Sequence, residues 1–231
     1  MGEVIRRTAA VTDILSDVRE SHVNAQAAGG LYKTLADQTL KPALALCDLI
    51  DGKWRAAVAK SEPLVAAQAA RNASADLLVG RISDVLWNDV GRPMSDPQYD
   101  LLFPSGISFY VDGAEAEQPA RMELLAEMIE SGLHLRLEAA KAKDYAKQLR
   151  DEATAFEAAV DAARKPRAYA VMYERMRTSA IRSAHGALTS FKRLLKANNI
   201  SEAKIHEIIP DRPSLPQPRT PAPAPAPAPA P

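Results

Sequence analysis

The sequence is poor in the residues that hold small or sheet-rich proteins together. Its single cysteine, Cys47, excludes an intramolecular disulfide framework. Aromatic residues make up only 5% of the chain, and alanine is abundant, a balance that suits closely approaching helices better than a β-sandwich. No apolar run approaches the roughly 18 residues that a membrane-spanning helix needs. The first residues, MGEVIRRTAAVTD, lack the apolar stretch of a signal peptide. Gly2 is followed by Arg6 where a myristoylation signal requires Ser or Thr. The expected location is cytoplasmic.

Net charge is also missing: 29 basic residues balance 29 acidic ones, so no global charge points to nucleic acid or membrane. The balance conceals a segregation. Residues 84–130 carry ten acids against Arg92 and Arg121, and residues 164–196 carry nine bases against Glu174 alone. Opposite charges of this size predict that the basic segment meets the acidic one, within the chain or between subunits. A basic amphipathic helix bearing Arg175, Arg182, Arg193 and Lys196 is also suited to anionic membrane or nucleic-acid phosphates.

The residues of common active sites are not arranged for chemistry. None of His22, His134, His185 and His206 has Glu three positions before it, as carboxylate-bridged metal bundles require. Cys47 sits among leucines and reads as a small buried hydrophobe. No glycine-rich phosphate loop occurs, and Pro104-Ser105-Gly106 is turn chemistry without the strand and helix that flank a nucleophile elbow. No cofactor, metal or small-molecule substrate is expected, and the chain is not expected to be an enzyme.

What is present is helical periodicity nearly end to end. A first helix is expected over 3–28, with Val4, Thr8, Val11, Leu15, Val18, His22 and Ala25 on a heptad seam and Gly29-Gly30 as its stop. A second is expected over 31–60. Ser61-Glu62-Pro63 resembles a helix start and opens a third helix to about residue 90, with Ala67, Ala70, Ser74, Leu78, Ile82 and Val85 at helical spacing. Pro119 opens a short helix whose buried edge is Met122, Leu125 and Ile129. A long helix follows with Ala142, Tyr145, Leu149, Ala153, Phe156, Val160 and Ala163. Lys165-Pro166 is expected to turn the chain into a last long helix, on the seam Tyr169, Tyr173, Met176, Ala180, Ala184, Ala187, Phe191 and Leu194, closed by Asn198-Asn199. Prolines 63 and 166 are read as hairpin turns, because short connections are normal in antiparallel bundles.

One long interruption stands out. Residues 91–115, GRPMSDPQYDLLFPSGISFYVDGAE, hold Tyr99, Phe103, Phe109 and Tyr110, four of the chain's ten Phe and Tyr residues, together with three prolines. A connection this long is unusual in a compact domain, and its aromatic content predicts order. Two roles are open for it. It caps the bundle, as a small β-hairpin about Pro104-Ser105-Gly106, or its four aromatics form a surface for a protein partner, with Phe103 and Phe109 as anchors.

The expected fold class is all-α: an elongated antiparallel helical bundle or coiled-coil-like assembly with one ordered non-helical insertion. Its organisation is a first helical segment (1–90), the aromatic insertion (91–116), a second helical segment (117–209) and a Pro-Ala-rich tail (210–231), read as disordered polyproline II. The expected function is that of a structural or adaptor protein that forms homo-oligomers or docks on another protein, with nucleic-acid or anionic-membrane binding through 164–196 as the alternative.

Overall fold

The structure is a computed structural model that describes residue 4 and residues 7–210. The Pro-Ala tail expected over 210–231 lies, apart from Pro210, outside the described residues. The described chain is mostly α-helical, as expected, and no helix within it is long and apolar enough to cross a membrane. It divides into two compact units. Unit 1 draws on Met1–Cys47 and Thr178–Pro231, and unit 2 is Asp48–Arg177.

Two helices are much longer than expected. α2 is one helix over Gly30–Asp89, and α6 is one helix over Ala139–Ala197. The hairpin turns expected at Pro63 and Pro166 are therefore corrected: both prolines lie inside continuous helices. A proline in a helix interior removes one backbone hydrogen bond and crowds the preceding turn, at about 3 kcal/mol. That cost is local, whereas each helix is held by buried side chains on both sides of its proline. Ser61 adds a local contact just ahead of Pro63, its hydroxyl donating to the Val58 carbonyl at 3.1 Å.

Unit 1 contains α1 (Val11–Ala28), the start of α2, the end of α6, and α7 (Glu202–Ile208). α1 begins at Val11, later than expected. Asp13 in its first turn complements the positive end of the helix dipole, whereas Arg7, one turn earlier, carries the wrong charge for a helix start. The buried seam of α1 is Ile14, Val18, Ser21 and Ala25, so its packed face is turned toward Ile14 and Ser21 and away from Leu15 and His22. Gly29 ends the helix at a φ of 70°, its N–H donating to the Ala25 carbonyl. The Asn24 amide donates to the Ile208 carbonyl at 3.2 Å and ties α1 to α7.

In the C-terminal part of α6 the buried residues are Ala180, Ile181, Ala184, Leu188, Phe191 and Leu195. The expected Ala187 and Leu194 are replaced by Leu188 and Leu195. A straight helix drifts by about 20° per heptad from a strict seven-residue repeat, so the stripe advances by an occasional extra residue. Asn199, at a φ of 56°, closes the helix. Its N–H reaches the Lys196 carbonyl and that of Ile200 reaches the Leu195 carbonyl, the paired bonds of a Schellman cap.

Unit 2 is built on the second part of α2, α5 (Gln118–Glu130) and the first part of α6. Met122, Leu125 and Ile129 of α5 are buried, as are Leu149, Ala153, Phe156 and Val160 of α6, all as expected. The α2 stripe is Ala75, Val79, Ile82 and Leu86, one residue on from most of the expected positions. α2 ends in a second Schellman cap, with Gly91 at a φ of 82° and the Arg92 N–H bonded to the Trp87 carbonyl.

Between α2 and α5 the expected β-hairpin does not form. Pro97–Leu102 is a short helix (α3), Pro104–Ile107 is an exposed extended segment (β1), and Ser108–Val111 is one helical turn (α4). No sheet forms among the described residues. The physical reason is at Asp96, whose side chain accepts from the N–H groups of Gln98 and Tyr99 while Pro97 takes the first helical position. This is the chemistry of a helix start, not of a strand.

Candidate functional site

The aromatic segment is a folded part of unit 2. From Trp87 at the end of α2, rings follow one another through Tyr99 (4.5 Å between centroids), Phe103 (5.0 Å), Tyr110 (5.5 Å) and Phe109 (5.0 Å). Phe103 and Tyr110 are buried with Leu102, Met122, Leu125 and Ile129, and Tyr99 is packed against the same cluster. Phe109 is the exception, at 41% exposure. Of the four expected interaction residues, two therefore lie in the core, Tyr99 is partly covered, and only Phe109 faces solvent to a large degree.

Polar contacts fix this arrangement. The Tyr99 hydroxyl is 2.6 Å from the Ser83 hydroxyl on α2, and the Tyr110 hydroxyl donates to the Leu102 carbonyl at 2.6 Å. Arg121 of α5 reaches back to the Phe109 and Asp112 carbonyls and lies over the Phe109 ring. Gly113, at a φ of 102°, passes so close to the Arg121 guanidinium that a Cβ there would meet it at 3.3 Å. Gln68 and Gln118 join the segment to α2 by donating to Glu115 and Asp76 respectively.

Burial pushes the Tyr110 phenol above its ordinary value of 10.0. The folded state thus holds this proton more tightly than the unfolded chain. The associated stability is fully present below pH 10 and is lost as pH rises through the raised value. Tyr110→Phe leaves the Leu102 carbonyl without its donor, at a cost of about 1–2 kcal/mol near neutrality. It also removes this residue's share of the alkaline loss. Urea unfolding followed from about pH 8 to about pH 11 should show a shallower decline for the variant; an unchanged slope would contradict the buried, bonded phenol.

Within unit 2 no ion pair among the described residues joins the two charged segments, although Glu115 lines one groove with Arg164, Arg167 and Arg175. Among the acids, Glu130 is held below its ordinary value by a hydrogen bond from Arg150, which also senses Glu127 and Glu123. Glu117, just ahead of α5, pairs with Arg121 in its first turn. Among the bases, Arg164 pairs with Asp161 and Arg177 with Asp51 and Glu174. Arg177 also lies 4.7 Å from the centre of the Trp54 ring, a clasp between α2 and α6. In unit 1, Lys196 pairs with Glu202. Arg175, Arg182 and Arg193 join no ion pair among the described residues, and neither does Arg167.

The arginines of unit 2 border a groove the sequence did not reveal. It measures about 750 Å³ and is lined by Arg164, Arg167, Val171, Met172 and Arg175 of α6 together with Gln68 and Glu115. Two other features that bear on chemistry are smaller. His134 is buried with neither ring nitrogen bonded. Among the described residues no three His, Cys, Asp or Glu side chains gather as metal ligands. No family model, curated protein or solved structure matches this chain.

Proposed function

We propose that this chain is a non-catalytic structural or adaptor protein of the cytoplasm that works by association, with further copies of itself or with a larger protein assembly. The observation that carries this reading is the exposed apolar row on α6 in unit 2, where Tyr169, Met172 and Met176, at steps of three and four, are each more than two-fifths exposed. Leu49 on α2 is more exposed still. Such residues on a rigid helix leave an apolar edge that a partner helix covers, in a coiled-coil-like bundle completed by the partner. No cofactor, metal or small-molecule substrate enters this reading. Light scattering after size exclusion at micromolar concentration is expected to give a dimer or larger species. A monomer under those conditions would contradict self-association.

The second reading, binding to nucleic acid or an anionic membrane, is favoured by the unpaired guanidinium groups of Arg175, Arg182 and Arg193. It requires binding that falls steeply with salt and that is lost when those residues are changed to Glu.

A further inference from the structure

We infer that the arginine-lined groove of unit 2 receives the outer face of α5 from a second copy of this chain. The inference rests on the self-association reading above and names its surface. Arg164, Ala168, Val171 and Arg175 follow one another at steps of four, three and four, so they form one line along α6, about 16 Å long at helical rise. Arg167 and Met172 flank that line, and all six residues border the groove. The line is thus cationic at both ends and apolar at its centre.

The α5 face carries groups of complementary chemistry. Glu123, Leu124 and Glu127 are exposed on the side of α5 opposite buried Met122, Leu125 and Ile129. Leu124, 43% exposed, lies beside the two carboxylates on the same outward side of α5. Neither Glu123 nor Glu127 joins an ion pair among the described residues; Arg150 senses both, but its direct ion pair is with Glu130. Docking sets Leu124 against Val171 and Met172 and brings Glu123 and Glu127 to Arg164, Arg167 and Arg175. Guanidinium forks match carboxylates in two-point contacts.

Charge complementarity selects a second copy as the occupant. Residues 84–130 carry an excess of acids and residues 164–177 of the same unit carry five bases against Glu174 alone, so two copies can satisfy each other. Both faces belong to unit 2. In a twofold dimer each face is used once by each copy, and the contact closes on itself.

The test is a charge exchange in the full chain, read by sedimentation velocity at micromolar concentration. One variant carries Arg164→Glu, Arg167→Glu and Arg175→Glu; the other carries Glu123→Lys and Glu127→Lys. Each alone is expected to dissociate, with the dimer dissociation constant raised on the order of 100-fold. An equimolar mixture is expected to restore the dimer, because each reversed face then meets its reversed partner. Restoration also shows that both variants are folded. The wild-type dimer is expected to weaken as salt rises from roughly 50 mM to roughly 500 mM. Variants that associate like an oligomeric wild type would overturn this inference and leave the association reading standing. Dissociated variants whose mixture stays monomeric would overturn the pairing. A monomeric wild type would overturn both, including one that binds duplex DNA or anionic vesicles through these arginines.

Discussion

Phe103→Ala is expected to destabilise the protein by about 3–4 kcal/mol, the cost of truncating a buried phenylalanine. For a chain of this size that lowers the unfolding midpoint by roughly 10 °C. Phe103 is 2% exposed, stacks on Tyr99 and meets the edge of Tyr110, so the change removes two ring contacts as well as buried area. Each aromatic pair contributes about 0.5–1.5 kcal/mol beyond burial. Phe109→Ala, at a half-exposed site, is expected to cost no more than about 1 kcal/mol. Thermal unfolding of the two variants beside light scattering separates the two roles open to this segment. Loss of stability at Phe103 with association intact identifies a core plug; intact stability with lost association would identify a binding surface and contradict the burial described here.

Pro166→Ala is expected to act in the opposite direction and stabilise the protein by about 1–3 kcal/mol. Alanine restores the N–H that the Ala162 carbonyl lacks and removes the ring's crowding of the preceding turn. Chemical denaturation of the variant is the measurement. A neutral or destabilising result would mean that Pro166 sits in a turn that needs it. Pro63, exposed within α2, should respond in the same sense.

Much of unit 2 could be read from the sequence because its cues are local and agree with one another. Pro119 with Met122, Leu125 and Ile129 identifies α5, and the run from Ala142 to Val160 identifies the first half of α6. The same local reasoning failed at Pro63 and Pro166, where an unfavourable residue is carried by packing on both sides of it. Asp96-Pro97 is legible as a helix start, a capping carboxylate followed by proline, and this local cue outweighs the turn chemistry of Pro104-Ser105-Gly106 from which a hairpin was expected. The segment's order was expected from its aromatics. Its division into buried Phe103 and Tyr110 and exposed Phe109 was not, since that depends on how α3 and α4 lie against α5. The groove was illegible for the same kind of reason. Arg164, Arg167 and Arg175 were visible as charge, but that Arg167 and Arg175 join no ion pair among the described residues is a property of tertiary placement, and so is the exposure of Tyr169 and Met176 on what looked like a buried seam.

The proposed association face exists only if α6 runs unbroken through Pro166, and one distance tests that directly. Spin labels at Thr154→Cys and Met176→Cys, both exposed and in unit 2, lie almost symmetrically about Lys165-Pro166. Cys47→Ser removes the native thiol, and dilution with unlabelled chain suppresses signals between copies. A continuous helix places the two backbone positions about 33 Å apart, at 1.5 Å per residue, and pulsed dipolar spectroscopy should return a single narrow distribution near that value. A hairpin at Pro166 would bring the same positions to about 10 Å, the spacing of packed helices, and that result would contradict the account.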